Sequence, residues 1–484
     1  MLQHLNYNRE EVCLKLLSNF NEDSLLSGYK LQYFQATTTT TVYFGASSEQ
    51  WEGTKILSYL GLGIKVRFYE FTPRLNLFLI DSATQCVIEL KTMAESYGMN
   101  SKVKAGEKTT ITYGEFLNYI SDLSETNILN RPHFKPISKT LMEFIKAHAL
   151  TSIVPAGATS YQRKHFVASD HRISLDQNIS YYLTVKHDKD IIFSKALDCI
   201  GSILEIKKNR NLDIDKLPII KALRYQNIPY EFFKKSKGMQ LDDIIRQESH
   251  EFIEPELDER ADNDWVITER EIKLDALSDP RLVSKTVQMG NNVTIFNGTG
   301  IININYQRIY DVGSSGIVYM SADLQGTDPM LKYKFFVTND DQGALVRREV
   351  VIPYTPEALQ DVANELEPGI NIDDVIVTPY FCRDRIKCNV YMADTRNVFE
   401  IYGDHSTFVK GECNKFNQVE IEYAGIICKQ GTSIFKQQKL EDVINNDFMK
   451  LRAIVLDKYN EAGNPLTAST RTKYDWAKKE VFDK

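Results

Sequence analysis

The sequence predicts an α+β protein with two strand-rich, antiparallel halves that carry helical insertions. Three observations lead there. Charged and apolar residues alternate along strand after strand, most clearly over residues 202–208, Ser-Ile-Leu-Glu-Ile-Lys-Lys. Successive strand side chains point to opposite faces, so Leu204 and Ile206 share one face while Glu205 and Lys207 share the other. Stretches with apolar residues at helical spacing interrupt these strands. Residues 241–264 then change character, with Asp and Glu dominant around Pro255, which reads as an acidic linker between strand-rich halves. The expected organisation is a domain over residues 1–240, a linker over 241–264, a second domain over 265–460, and a polar tail over 461–484.

The elements follow in order. Residues 9–17 form a first strand with Glu11, Cys13 and Lys15 on one face. Residues 37–44 run five Thr into Val-Tyr-Phe; Thr is β-branched and suits a strand, so the tract needs no functional explanation. Residues 64–68 set Lys65 and Arg67 opposite Val66 and Phe68, and residues 87–91 set Glu89 and Lys91 opposite Ile88 and Leu90. A loop over 99–108 leads to helices over 113–123 and 138–150. The second carries Leu141, Phe144, Ile145 and His148 in a stripe, with His148 read as a packed core residue. A hairpin over 161–166 and 171–176 carries Arg163, Lys164 and Arg172, with Arg172, Ser174 and Asp176 alternating. After the Glu205 strand come a helix over 215–225 and a basic loop over 234–238.

The second half repeats this plan. Strands are expected over 265–274, 300–305, 316–321 and 331–337. Thr355 and Pro356 then open a helix as capping residue and first-turn proline, burying Leu359, Val362, Ala363 and Leu366. Strands follow over 374–380, 385–392, 398–402 and 418–424, then a long helix over 440–459. Trp476 is the one large apolar anchor of the tail, which docks on this chain or on a partner.

Composition bounds the function. The 484 residues are 43% hydrophobic and 25% charged, ordinary for a globular protein with a large core. The net charge of −7 provides no global field for nucleic acid, so a polyanion site must be a local gathering of Lys and Arg. Seven cysteines without a CxxC, and eight scattered histidines, argue against a zinc cluster or a secreted disulfide framework. No basic-then-apolar leader opens the chain and no apolar run reaches membrane-spanning length, so a cytoplasmic protein is expected, or a virion protein if the chain is viral.

For a single strand, a Glu–Lys face is ordinarily a solvated sheet surface. Its recurrence on strand after strand carries more weight: a barrel with these faces turned inward would line its bore with acids and bases.

In the first half, Thr41-Val42-Tyr43-Phe44, Lys65 to Tyr69, Ile88-Glu89-Leu90-Lys91, Tyr161 to Phe166, Arg172 to Asp176, Leu204 to Lys207 and Ser236-Lys237 come in the same order as in a known family. The chain resembles the polyphosphate polymerase domain of the vacuolar transporter chaperone (VTC) complex, in the triphosphate tunnel metalloenzyme (CYTH) superfamily, over roughly residues 9–240. More faintly, Glu269-Arg270-Glu271-Ile272-Lys273 resembles the superfamily's ExExK opening, and Glu420-Ile421-Glu422 its closing acidic strand. Lys332, Lys334, Arg347, Arg348, Arg385 and Lys387 fall where its basic positions are expected. The resemblance implies an α+β fold of tandem antiparallel β-barrel (tunnel) domains with helical insertions, the barrel being a closed tunnel of about eight strands that binds a triphosphate or polyphosphate. It implies Lys65, Arg67, Lys91, Arg163, Arg172 and Lys207 as catalytic phosphate ligands, with Lys237 and Lys15 assisting. Glu205, Glu89 and Glu11 would hold Mg²⁺ or Mn²⁺. Such chemistry needs positioning and charge neutralisation more than covalent help. The sequence also departs from the pattern: the first ExExK has become Glu11-Val-Cys13-Leu-Lys15, and Gly45 stands where an acid usually follows Val-Tyr-Phe.

The resulting expectation is a protein that binds and processes a triphosphate or polyphosphate by metal-dependent phosphoryl transfer, as a polymerase or as a triphosphatase, an RNA 5′-triphosphatase included. Its partner would be a phosphate polyanion or a nucleoside triphosphate. The alternatives are a polyanion sensor without activity, or an inactive structural subunit of a larger particle, phage or viral, that keeps the fold.

Overall fold

A computed structural model describes residues 9–17, 32–48, 55–56, 62–71, 73, 76–92, 107–129, 135–167, 171–188, 190–209, 213–232, 237–254, 258–259, 265–280, 293–295, 301–312, 317–323, 329–339, 345–409, 415–430 and 438–482. The chain divides into two compact units, Met1–His250 and Glu251–Lys484. Among the described residues one holds a twelve-stranded sheet and the other a thirteen-stranded sheet, with antiparallel ladders. With the helices packed on them, the α+β expectation stands. No helix among the described residues is long and apolar enough to cross a membrane.

In the first unit the sheet runs through Arg9–Leu16, Ser202–Asn209, His171–His187, Leu150–Val167, Gln32–Ser48, Leu62–Tyr69, Gln85–Thr92 and Glu107–Thr112. No ladder among the described residues joins its two ends. In the second unit the succession is Trp265–Ala276, Leu345–Pro353, Met330–Asn339, Ile317–Asp323, Ile301–Asp311, Phe381–Met392, Asn397–Phe408 and Phe416–Lys429. There Glu271 to Asp275 of the first strand also pair with Glu422 to Gln418 of the last, so the pairing returns to its start.

Period-two alternation sorts the residues of both sheets. One face of the first sheet carries Val42, Phe44, Ile64, Val66, Phe68 and Ile88, packed against the helices Tyr113–Ser121 and Lys135–His148. Thr112 starts the former with a reciprocal cap to Glu115, satisfying end groups that the helix cannot bond itself. Phe44 meets Phe116, and Phe68 meets Tyr113, edge to face with centroids 5.3 Å apart. Leu14, Ile173, Leu175, Leu204 and Ile206 continue this face against the helix Pro218–Tyr225. In the second unit Leu274, Val390, Phe399, Ile401, Val419 and Ile421 pack on the helix Gln438–Glu461. The helix Pro356–Leu366, capped by Thr355, buries the four residues expected of it. His148 is half-buried and packs on Phe144, with ring centroids 4.4 Å apart, as its place on the stripe implies.

Four readings change. The acidic segment 241–264 is not all linker: Lys237–Gln247 is a helix that buries Leu241, Asp242 and Ile244, with Asp242 paired to Arg246 one turn on. Its acids alternate with apolar residues at helical spacing, which composition alone conceals. The strand expected over 374–380 shrinks to Ile376–Val377, because Asn371 caps a 3₁₀ turn over Ile372–Asp374. The loop expected over 99–108 ends in the strand Glu107–Thr112, while residues 93–106 lie outside the described residues. The polar tail is part of the second unit: Leu466–Ser469 pairs with Lys273 to Ala276, and Lys473–Phe482 is a helix.

Candidate functional site

The other face of each sheet is charged. In the first unit the register places Lys65 opposite Tyr43 and Glu89, Arg67 opposite Thr41, and Thr39 opposite Tyr161. Arg163 lies opposite Thr37 and Asp176, Ser174 opposite His165 and Glu205, and Arg172 opposite Lys207. Lys15 pairs with Ile203, which joins it to the same face. The candidate positions, scattered through the sequence, therefore share one surface.

The Lys237–Gln247 helix covers this surface. Leu241 and Ile244 pack on Tyr43, Tyr161, Tyr181 and Ile203, and Tyr181 Oη donates to Gln240 Oε1 at 2.7 Å. Lys237 is the first residue of that helix, where the helix dipole disfavours a cation. It is held there by carboxylates: its ammonium lies 3.0 Å from Glu205 Oε1 and also contacts Asp176. Arg163 grips Asp176 through Nε at 2.5 Å and Nη2 at 2.6 Å, and reaches Glu205 Oε2 at 3.0 Å. Arg163 and Lys237 also lie over the Tyr161 ring, at 5.1 and 4.9 Å from its centroid. Asp176 is fully buried, and Glu205 exposes only 13% of its side chain. A solvated-face reading therefore fails here, while Arg172 does lie exposed.

The electrostatics follow from this packing. Burial opposes the charge of Glu205, yet Arg163, Lys237 and Lys207 hold its carboxyl well below the usual range. Burial likewise opposes the Lys237 ammonium, but Asp176 and Glu205 raise its pKa. Burial, then Arg163 and Arg172, lower His165 to about 4. Burial, then Tyr161, push the Tyr43 phenol up to about 12.

Farther along this face Arg67 pairs with Glu89 at 3.2 Å, and Lys65 lies over the Tyr43 ring at 5.2 Å. Arg67 Nε and Thr41 Oγ1, neighbours in register, are buried without a hydrogen-bond partner. An orphaned buried polar group costs about 1–3 kcal/mol, so such atoms mark a place for a polar occupant. Thr41 belongs to the Thr tract read as purely structural. Its odd-numbered members Thr37, Thr39 and Thr41 line the charged face, while Thr40 turns away to donate to Phe71 O at 2.8 Å.

Among the sequence-derived candidates, Arg163, Glu205 and Lys237 meet in one cluster, and Arg67 meets Glu89 in a second contact. Lys65, Lys207 and Lys15 lie partly buried on the same face. The side chains of Lys91 and Glu11 lie outside the described residues, as do those of Lys334, Arg347, Arg348, Glu269 and Arg270, and residues 233–236 of the basic loop. Sequence reasoning missed Asp176 as a site residue, although its alternation with Arg172 and Ser174 signalled the right face.

The second unit holds a corresponding cluster. Arg385 grips Asp404 through Nε at 2.6 Å and Nη2 at 2.8 Å, and also bonds Glu420. Lys473 lies 2.9 Å from Asp404 and 2.7 Å from Glu420. As in the first unit, the arginine and aspartate face each other across adjacent strands, the glutamate comes from the next strand, and the lysine opens a helix. Trp476 anchors that helix, stacked 4.5 Å from Phe408 and edge-on 5.5 Å from Phe381. The tail thus docks on its own unit. Arg383 adds a contact to Asp404 at 2.6 Å, Lys273 pairs with Glu271 at 3.0 Å, and Lys387 pairs with Glu400. Burial opposes both charges, yet Asp404 and then Glu420 raise the Arg385 pKa well above its usual value. Lys473, Lys273 and Arg385 hold Glu420 well below the usual carboxylate range. Lys332 falls on this face by register. Asp404 and Lys473 had no counterpart among the sequence candidates.

Comparison with known proteins places residues 36–240 in a match to the VTC domain family. None of the curated proteins matches the chain. Among solved structures, the PH1819 protein from Pyrococcus horikoshii OT3 is 13% identical, with 48% of this chain and 99% of that chain covered and a TM-score of 0.25. The PH1012 protein from the same organism is 14% identical, with 38% and 88% covered and a TM-score of 0.23. A conserved hypothetical protein from Pyrococcus furiosus is 13% identical, with 32% and 79% covered and a TM-score of 0.21.

Proposed function

We propose that the first unit binds a triphosphate or polyphosphate chain along its charged face, as a tunnel-type site, and acts on it by metal-dependent phosphoryl transfer. The observation that carries this reading is the excess of cations on a water-poor surface. Lys65, Arg67, Arg163, Lys207 and Lys237 face Glu89, Asp176 and Glu205 within the span 36–240 that matches the VTC domain; Arg172, exposed, lies on the same face, and Lys15 joins it from outside that span. Guanidinium groups offer paired donors to phosphate oxygens, and ammonium groups offer point charges. Spread negative charge on a transferring phosphoryl group is what such an array stabilises.

Glu205 and Asp176 suit Mg²⁺ or Mn²⁺ in kind, since Glu205 stays ionised and both offer hard oxygen donors. Glu89 is the second carboxylate position, beside Arg67. A bound metal would neutralise and orient phosphate oxygens. This chain's own residues hold the phosphate chain, and the helix over Tyr43 and Tyr161 excludes water.

A structural role in a larger assembly is the second reading. It is favoured by the internal compensation of both clusters, in which each buried carboxylate already has a guanidinium or ammonium partner. The test is incubation of the whole chain with ATP, tripolyphosphate and long-chain polyphosphate, with Mg²⁺ or Mn²⁺ and with chelator. Phosphate release and chain growth are the readouts, with Glu205→Ala and Arg163→Ala as controls. Metal-dependent turnover lost in both variants supports the first reading. Absence of turnover and of any polyphosphate-induced thermal shift sinks it and leaves the structural role.

A further inference from the structure

We infer that the second unit carries its own oxyanion site, built on Asn305, Arg383 and Ser406, and that it takes a phosphate-type anion. Asn305 faces Arg383 across one ladder, and Arg383 faces Ser406 across the next. The three residues form a row across three adjacent strands, on the charged face beside the Arg385–Asp404 pair. Each leaves a buried polar atom without a hydrogen-bond partner: Asn305 Oδ1, Arg383 Nε and Ser406 Oγ. Ser406 is fully buried and Arg383 exposes 13% of its side chain, so bulk solvent does not serve them.

The chemistry selects the ligand. A guanidinium N–H donates, a hydroxyl donates or accepts, and an amide offers both functions. Together they match an anion with several oxygens, and Arg383 adds the positive charge. Arg383 keeps its Nη2 on Asp404 at 2.6 Å, which fixes the guanidinium plane and leaves Nε–H for a ligand. Lys473 and Arg385 neutralise Asp404 and Glu420 next door, so those carboxylates repel an incoming anion less than they otherwise would. The site lies outside the span that matches the VTC domain and is independent of the first unit's reading.

Calorimetric titration of the whole chain with inorganic tripolyphosphate, in metal-free buffer, tests this. Two classes of site are expected, with Arg383→Gln weakening the weaker class at least tenfold and Lys65→Gln weakening only the stronger. Ser406→Ala, which removes no charge, should weaken the same class as Arg383→Gln and keeps the test valid if the arginine variant unfolds. ATP in place of tripolyphosphate distinguishes a nucleotide-borne chain from a free one. A single class sensitive only to Lys65→Gln overturns the second site and leaves the first unit's reading intact. A single class sensitive only to Arg383→Gln and Ser406→Ala supports the second site and sinks binding at the first. No binding overturns both.

Discussion

The two charged faces share a core and differ around it. In the first unit Arg163, Asp176, Glu205 and Lys237 form a compensated cluster, and in the second Arg385, Asp404, Glu420 and Lys473 do the same. Around the first cluster the face adds mostly cations: Lys15, Lys65, Arg67, Arg172 and Lys207. Around the second it adds carboxylates as well, with Glu271, Glu422 and Glu400 following one another across two ladders. The cluster is therefore a device of the architecture, which pins a helix to a sheet. The residues around it set the charge available to a ligand.

The largest effect should come from breaking a cluster. Both aspartates are fully buried; among the described residues Asp404 holds Arg383, Arg385 and Lys473, and Asp176 holds Arg163 and Lys237. Removing one partner of a buried ion pair costs about 3–5 kcal/mol. Asp404→Ala should fall at the upper end and Asp176→Ala at the lower, read as urea midpoints with hydrogen exchange assigning each loss to its unit. Equal losses would show that the second unit's extra arginine adds nothing.

Trp476→Ala comes next. It removes the ring between Phe381, Phe408 and Phe416, at about 3–5 kcal/mol for an aromatic truncated to alanine. Protection from exchange should fall over Lys473–Phe482 and at Asp404, while the first unit's protection stays unchanged. Retained protection at Asp404 would mean that Lys473 docks without its anchor.

A smaller effect belongs to the first unit alone. His165 titrates near 4 in the fold, below the ordinary histidine value of about 6.5, because of burial and then Arg163 and Arg172. Its other neighbours Asp176, Glu205 and Ser174 do not reverse that shift. Between these two values the unfolded chain binds the proton that the folded chain does not. Stability from this group is thus fully present above about 6.5 and is lost as pH falls toward 4. His165→Gln should flatten the melting temperature of the first unit across that window; an unchanged slope would place the acid sensitivity elsewhere.

The smallest effect marks the contrast with solvent. Lys146 and Glu125 pair at 3.0 Å, but both side chains are well exposed. Lys146→Ala should change stability by at most about 0.5 kcal/mol in the same denaturation experiment. A loss comparable with that of Asp176→Ala would undo the distinction between buried and exposed pairs.

Much of the sheet was legible because strand alternation is local: a period of two can be read from five residues. That is why Glu205, Lys65, Arg67 and Glu89 could be set on charged faces, while their candidacy as site residues, and that of Arg163, came from the family resemblance; capping chemistry, also local, let Thr355 and Pro356 mark a helix start. Partnership was not legible. Whether Glu205 faces water or Arg163 depends on the register between strands that are remote in sequence, and the same holds for Arg385 with Asp404. Lys237 and Lys473 were harder still. Each opens a helix where the dipole opposes its charge, and only a carboxylate pair brought there by the fold makes the position favourable. The sequence by itself determined which residues alternate and which faces are charged. Only the tertiary structure decided that the clustered charges on those faces are buried and that a lysine opening a helix completes each cluster, because burial and ion pairing depend on contacts between residues remote in sequence that no local pattern encodes.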